Sequence, residues 1–409
     1  MRTTDGIRKT QRGAAFFLGA MVAALAVLLS GPNAGAGRSD EEVTPFETDV
    51  TYSGMLRSGE PELAIDPTDS NHIAITAFEA INTYTSPLSF KQRALAPDSS
   101  WCQLQFSDDG GNGWSNAVVT PQLYTEPANS PYNPGRVHNT ATDCIIGWAP
   151  SGRIYVASAT FVPVEVPPPG GFFGILFPLG GVTVTSTTDE GHSFTTPVVP
   201  ISSEDLPGLF ARGLTPSNNG FANPYDRPWL RVDPWNGDVY IAASGHPQYY
   251  ATVSHDEGQT WSRLEAIDCD ETSPPSAKEV CGAYPAISGA LIDAAKGVLS
   301  AAYIASGTNC PCAIFETSTD AGAHWQRHVV ADHLTAGSSI QVAANQHDRK
   351  RFAVSILPGA RNALQVYSTS DSGGTWSGPV SLGDMTAAHR VNRPWIAYSG
   401  HRVGVFWRT

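Results

Sequence analysis

The octapeptide SHDEGQTW at residues 254–261 decides how this sequence is organised, because it belongs to a pattern that the chain repeats. The pattern is S/T-x-D-x-G-x-x-W/F, and five copies of it are unlikely to arise by chance. The other copies are SDDGGNGW at 107–114, TTDEGHSF at 187–194, STDAGAHW at 318–325 and TSDSGGTW at 369–376. Internal repeats of this kind indicate repeated structural units.

Each fixed position of the octapeptide has a physical role in a tight turn. The carboxylate of Asp256 can accept hydrogen bonds from nearby backbone N–H groups. Gly258 can take a positive φ without steric cost. Trp261 supplies a large apolar side chain that packs between neighbouring sheets. The repeat therefore predicts a hairpin turn with a packing residue; a calcium loop or a glycan contact is the alternative interpretation.

A second, longer repeat consists of an apolar inner strand, a turn and another strand. Its six copies begin at Glu60, Asp143, Arg227, Tyr284, Ser338 and Arg393. An octapeptide follows each of the first five copies, so one unit contains four strands with the octapeptide between the third and the fourth. Six such units predict an all-β fold, a six-bladed β-propeller. We expect the prolines of these units at the first residue of the inner strand, where a missing N–H is tolerated. These prolines are Pro61, Pro228, Pro285 and Pro394.

The sixth unit is short. Its inner strand starts near Arg393, so a sixth octapeptide would fall beyond Thr409. We expect a last blade that is incomplete or that is closed by an N-terminal strand at residues 46–56.

The octapeptides resemble Asp-boxes, also called BNR repeats, and residues 37–409 look like the Asp-box β-propellers. The sialidases are the best-known enzymes of that group. The resemblance implies a secreted, exo-acting glycoside hydrolase that acts on sialic-acid-type glycans at the central funnel. Because one fold hosts many functions, a non-catalytic propeller that binds a glycan or a protein is the alternative. A different glycosidase or a lyase on the same scaffold is a third hypothesis.

The N-terminus has the composition of a targeting segment. Basic residues precede an apolar run at 14–29, and Ala34-Gly35-Ala36 is a candidate cleavage site. Residues 1–36 therefore predict a secretory signal peptide, with an uncleaved membrane anchor as the alternative. Removing four basic residues and Asp5 changes the net charge from −13 to −16. Such an acidic chain is not expected to bind nucleic acid.

The chain has six cysteines, an even number that favours disulfides in an exported protein. Cys269 with Cys281 is the preferred pair, and Cys102 with Cys144 is also compatible with the sequence. Cys310 and Cys312 are too close for an easy mutual bridge. The cysteines and histidines do not have the spacing of a zinc site, and no metal or other cofactor is expected.

Candidate site residues follow from the propeller geometry. The octapeptides lie on one face, and the longer connections lie on the other, where binding sites are usually found. The residues that enter the inner strands should line the funnel mouth, and they are Glu60, Asp143, Arg227, Tyr284, Gly337 and Arg393. The resemblance to sialidases implies that Arg227 and Arg393 grip a substrate carboxylate, with Arg57 or Arg212 as a third arginine. It implies Tyr284 as the nucleophile and Glu60 or Asp143 as its base or as the general acid.

Two structural alternatives remain open. In the first, Trp229 and Trp395 pack between blades while Arg227 and Arg393 pair with Glu60 and Asp143. The second concerns the apolar insertion at residues 166–181, which either contacts a ligand, a partner or a membrane or packs on the propeller as a flap.

Overall fold

The computed structural model describes residues 56–81, 100–121, 124–125, 137–138, 140–161, 164–165, 175–176, 181–201, 225–245, 248–267, 292–305, 311–360, 363–383 and 391–408. These residues form strands and turns, and no helix occurs among them. In this part of the chain, accordingly, no helix could cross a bilayer. The predicted leader at 1–36 and the predicted strand segment at 46–55 lie outside the described residues.

The strands form six successive antiparallel sheets, which we number in chain order. Sheet one contains β1 (Leu56–Ile65), β2 (Ile73–Ile81), β3 (Ser100–Ser107) and β4 (Val118–Val119). Sheet two contains β7 (Thr140–Trp148), β8 (Ile154–Phe161), β11 (Gly181–Thr187) and β12 (Val198–Ile201). Sheet three contains β13 (Tyr225–Val232), β14 (Val239–Gly245), β15 (Gln248–Ser254) and β16 (Glu265–Ile267).

The remaining sheets continue the pattern. Sheet four contains β17 (Ile292–Ala295), β18 (Val298–Ala305), β19 (Cys312–Ser318) and β20 (Gln326–Ala331). Sheet five contains β21 (Ser339–Ala344), β22 (Phe352–Leu357), β23 (Leu364–Thr369) and β24 (Ser377–Leu382). Sheet six has two described strands, β25 (Asn392–Ser399) and β26 (Arg402–Arg408). Two small ribbons pair β5 (Tyr124–Thr125) with β6 (Val137–His138), and β9 (Val164–Glu165) with β10 (Ile175–Leu176).

The order of strands within each large sheet follows the chain, and the first strand of each sheet contacts the first strand of the next. This arrangement is consistent with a β-propeller. The described strands do not show a closed ring. Where neighbouring sheets cover both faces of a blade, its central strands are buried throughout instead of alternating. In β18, for example, every residue is buried.

All five octapeptides form the same turn between the third and fourth strands of their sheets. The hydroxyl of the first residue donates to the Asp carboxylate over 2.7–2.9 Å. That hydroxyl also accepts the N–H of the Gly, and the carboxylate accepts a further N–H four residues after the Asp. Each Gly has a positive φ, from 80° to 98°. The predicted turn is therefore confirmed, and the carboxylate is occupied by donors of the turn itself.

The octapeptide turns also hold neighbouring sheets together. Gly258 of sheet three lies against Tyr155 of sheet two, and the ring of Trp376 in sheet five meets Phe315 of sheet four edge-on at 5.1 Å. Arg153 and Glu257 form an ion pair of 3.2 Å across the first of these junctions. The predicted packing role of the octapeptide aromatic residue is borne out at Trp376.

Three prolines are placed differently from the prediction. β1, β13 and β25 begin before Pro61, Pro228 and Pro394, so these residues lie inside the strands and not at their first position. The strand register shifts at each of them. A bulge leaves its extra residue outside the hydrogen-bonded ladder, so Pro loses no bond there. Pro285 lies outside the described residues.

A disulfide joins Cys102 of β3 to Cys144 of β7 and so links sheets one and two. Both sulfur-bearing side chains are completely buried. Closing a loop of 42 residues is worth about 4 kcal/mol in the chain-entropy account. Cys312 is also disulfide-bonded, whereas the preferred pair Cys269 and Cys281 lies outside the described residues.

Candidate functional site

Four of the predicted funnel residues occupy the same structural position. Glu60, Asp143, Arg227 and Arg393 are each the first residue of a register shift in the first strand of their sheets. A β-bulge bends its strand and redirects the side chains beside it, and bulges are frequent next to functional sites. These four residues therefore lie outside the regular hydrogen-bonded ladder of their strands.

Asp143 is the member of this group whose side chain the structure describes. It is half-buried and takes a φ of +51°, a left-handed conformation that Asp tolerates better than most residues. The hydroxyl of Thr142 donates to its Oδ2 over 3.5 Å. The next residue, Cys144, is fixed by the disulfide. The backbone that carries this carboxylate is therefore anchored covalently to sheet one.

The R-P-W tripeptides of sheets three and six approach each other. Trp229 and Trp395 meet edge to face, with ring centroids 6.3 Å apart, although their sheets are not neighbours along the chain. Trp395 also stacks on Phe406 of its own sheet at 6.5 Å. Packing of these indoles between blades was one of the two alternatives that the sequence left open, and the contact observed joins sheets three and six. Each of the two indoles directly follows a bulge, the one that carries Arg227 or the one that carries Arg393.

Gln341 of sheet five holds the bulge of sheet six. Its amide nitrogen donates to the carbonyl of Pro394, and its side chain is almost completely buried. Its Oε1 has no hydrogen-bond partner among the described residues. A buried acceptor left unpaired is costly, so this oxygen is a buried polar group without a donor in the described part of the chain.

The described part of the structure does not include the side chains of several predicted site residues. Tyr284 and Arg212 lie outside the described residues. For Arg57, Glu60, Arg227 and Arg393 the described part is the backbone, so pairing of the arginines with the carboxylates stays a prediction. Of the insertion at 166–181, Ile175–Leu176 forms a strand that pairs with Val164–Glu165.

Two buried carboxylates were missed by the sequence analysis. Glu79, near the end of β2, is completely buried and accepts a hydrogen bond from Gln103 over 2.6 Å. Glu316 of β19 is equally buried and accepts one from the hydroxyl of Tyr303 over 2.9 Å. A buried carboxyl group needs hydrogen-bond partners, and Gln103 and Tyr303 supply them here. The sequence feature that could have identified each of them is a Glu inside an otherwise apolar strand.

The described residues do not bring metal ligands together: no group of three or more His, Cys, Asp or Glu side chains in that part of the chain could hold a metal ion. The octapeptide carboxylates instead bind their own turn, which lowers their pKa values. The pKa of Asp256 falls to about 2 because the Thr260 hydroxyl and backbone N–H donate to it. The pKa of Asp189 falls to about 2 through the corresponding bonds from Ser193.

Comparisons with known proteins identify the fold. No protein-family model and no curated protein matches the chain. The NanB sialidase of Streptococcus pneumoniae matches in structure with a TM-score of 0.50 and 12% identity, over 90% of this chain and 69% of that one. A leech intramolecular trans-sialidase matches with a TM-score of 0.51 and 12% identity, over 91% of this chain and 69% of that one.

A Hadza microbial sialidase matches over 87% of this chain and 63% of that one, at 13% identity and a TM-score of 0.48. The chain thus spans about two thirds of the length of these solved proteins. At such low identity the likeness establishes a shared sialidase-like β-propeller fold and leaves the chemistry to be argued from the residues.

Proposed function

We propose that this chain is a secreted sialidase-like β-propeller that hydrolyses terminal sialic-acid-type residues from glycans at the centre of the fold. The observation that supports the proposal is the contact between Trp229 and Trp395, because each of these residues directly follows an Arg-Pro bulge of its own sheet. In this proposal the octapeptides are Asp-boxes, residues 1–36 are a signal peptide, and residues 37–409 form six blades. The buried Cys102–Cys144 disulfide fits export into an oxidising compartment.

The proposed binding step uses arginine chemistry. Arg227 and Arg393 would grip the sugar carboxylate, with Arg57 or Arg212 as a third cation. A guanidinium binds a carboxylate through two parallel N–H bonds, which a lysine cannot reproduce. The chain carries a formal net charge of −13, so a local group of arginines must overcome the repulsion of an anionic substrate.

The proposed chemical step has two halves. The phenol oxygen of Tyr284 attacks the anomeric carbon, and its proton passes to a carboxylate, Glu60 or Asp143. The glycosidic C–O bond breaks, and the leaving oxygen takes a proton from the other carboxyl group. Water then attacks the same carbon and gives a proton to the carboxylate that had protonated the leaving oxygen. The tyrosyl–sugar bond breaks, the Tyr284 oxygen takes back its proton from the first carboxyl group, and the free sugar leaves. One water molecule is consumed, and the enzyme regains its starting protonation.

The proposal is tested by release of the fluorophore from a methylumbelliferyl α-sialoside. Tyr284→Phe should lower kcat by about 10³-fold or more, because it removes the nucleophile. Tyr367→Phe is the matched control, since this half-buried tyrosine of β23 lies in sheet five, in another part of the chain. Arg227→Lys should raise KM by about tenfold, while the exposed Arg263→Lys should leave it unchanged.

The alternative is a non-catalytic propeller that binds a glycan or a protein. The packing of Trp229 into the core favours it, since the indole is only 8% exposed and fills space near the proposed site. Absence of turnover by the folded, full-length protein, together with retention on a glycan array, would establish this alternative and overturn the hydrolase.

A further inference from the structure

A tryptophan is exposed on the face opposite to the proposed site. Trp235 lies in the turn between β13 and β14, and 70% of its surface is accessible. Among the large hydrophobic side chains that are exposed in the described part of the chain, Trp235 is the only aromatic one. Arg227 is near the start of β13, so the length of the strand separates the two by on the order of 20 Å.

The fold does not require an aromatic side chain at this position. In three sheets a side chain at the end of the first strand accepts the N–H of the residue two positions later. Asp66 binds Thr68, Asp233 binds Trp235 and Asn345 binds His347, over 2.7–2.9 Å. Because the bond uses the backbone of the second residue, threonine and histidine serve the turn as well as tryptophan does.

The ring of Trp235 is held in a defined orientation. The completely buried carboxylate of Asp233 also accepts the N–H groups of Lys296 and Gly297, at 3.0 and 2.5 Å, from the hairpin turn of sheet four. One carboxylate therefore fixes both turns. As a result the Lys296 ammonium lies over the Trp235 ring, 4.9 Å from its centroid, in a cation–π contact.

The turn that carries Trp235 is rich in polar side chains. Asn236 donates to Asp238 over 2.6 Å, and the ring nitrogen Nδ1 of His255 lies 2.8 Å from the same carboxylate. His255 is itself the second residue of the octapeptide at 254–261, and its side chain is exposed. Hydrogen-bonding side chains therefore follow Trp235 directly in its turn and connect that turn to the octapeptide at 254–261.

We propose that Trp235 is a stacking platform for a saccharide ring, distinct from the proposed site and independent of whether that site is catalytic. A pyranose has one face of C–H groups that packs on an aromatic ring, and hydroxyls at its edge that need polar partners. Asn236 and His255 can supply those partners. A protein contact would instead favour an aromatic anchor inside a ring of apolar neighbours, which the described residues do not form here. The acidic chain disfavours stacking of a nucleic-acid base.

The platform can be observed directly with 5-fluorotryptophan. The chain has ten tryptophans, and the ¹⁹F resonance of Trp235 is the one that disappears in Trp235→Phe. Titration with lactose, maltose or 3′-sialyllactose should shift this resonance saturably with a Kd on the order of 1 mM. The shift should weaken several-fold in Lys296→Ala, because the ring loses its fixed orientation. It should persist in His347→Ala, the same turn position in sheet five.

A second measurement separates this platform from the proposed hydrolase. Trp235→Ala should leave turnover of the methylumbelliferyl sialoside unchanged, and Tyr284→Phe should leave the saccharide-induced shift unchanged. The proposal is overturned if none of the three saccharides moves the Trp235 resonance at a concentration tens of times that Kd. It is also overturned if the shift is lost in Tyr284→Phe, since the effect would then originate at the other site. Failure of the hydrolase alone has no bearing on these results.

Discussion

Asp256 shows how a single residue stabilises the octapeptide turn through its charge. Its Oδ1 accepts the Ser254 hydroxyl and the Thr260 N–H, and its Oδ2 accepts the Thr260 hydroxyl over 2.5 Å. These bonds favour the ionised form and hold the pKa at about 2, below the ordinary 3.8. The stabilisation is therefore fully present above pH 3.8 and is lost as the pH falls from 3.8 through about 2.

Thr260→Val tests this account at the level of one bond. The Thr260 hydroxyl is the largest cause of the low pKa, so the Asp256 pKa should rise towards 3.8 without reaching it, because the backbone N–H bond remains. For Asp371 the largest cause is the backbone N–H of Thr375. The matched Thr375→Val should therefore raise the Asp371 pKa by less. Carboxyl ¹³C titration measures both, and an equal shift in the two variants contradicts the assignment.

At the scale of the element, the octapeptide turn joins one sheet to the next. Gly373 has a φ of +98°, and a methyl group there would lie 2.8 Å from the His328 ring and 2.9 Å from Phe315, both in sheet four. Gly152, in the turn between β7 and β8, has a similar φ of +82° and open space around it. The two glycines thus share the backbone requirement and differ in whether a side chain fits.

Gly373→Ala should accordingly lower the free energy of unfolding more than Gly152→Ala does. Both variants place alanine at positive φ, which costs about 1–2 kcal/mol. Gly373→Ala adds overpacking against sheet four, for a further loss of about 1–3 kcal/mol. Urea denaturation of the two variants gives the difference. Equal losses would show that the turn of sheet five is not packed tightly on sheet four.

The turns between strands could be predicted from the sequence, but the first residues of the inner strands could not. The octapeptides predicted the turn and its position between the third and fourth strands, because Asp and Gly act locally. The inner strands were predicted to begin at Pro61 and Pro228, but they start before them at Leu56 and Tyr225. A bulge depends on how the partner strand pairs, and a single strand's sequence does not contain that information.

The same limit applies to the molecule as a whole and to the candidate site. Equivalent positions for Glu60, Asp143, Arg227 and Arg393 could be predicted, since a repeat aligns its units. The contact between Trp229 and Trp395 could not, because it joins two sheets that are distant along the chain. Glu79 and Trp235 were missed for the same reason: burial of one and exposure of the other depend on the packing of neighbouring sheets.

The packing of whole sheets gives the last prediction. Leu230 and Leu63 each lie three residues after the bulge residue of their first strand. Leu230 is completely buried and points towards Gly147 of the preceding sheet, and the equivalent Ile146 and Ile396 are 3% and 5% exposed. Leu63, in the first sheet, is 53% exposed, and Ile65 of the same strand is 49% exposed. Among the described residues, this face of sheet one therefore lacks the cover that the equivalent residues have in sheets two, three and six.

Leu230→Ala should cost about 2–5 kcal/mol of unfolding free energy, because it leaves a cavity between two sheets. Leu63→Ala should cost about 1 kcal/mol or less, since half of that side chain already contacts water. Urea denaturation compares the two variants, with Ile146→Ala as a second buried reference. If Leu63→Ala is as destabilising as Leu230→Ala, the face of sheet one is covered in solution. That result is the one expected if the six sheets form a closed ring, in which the first sheet is packed like the others.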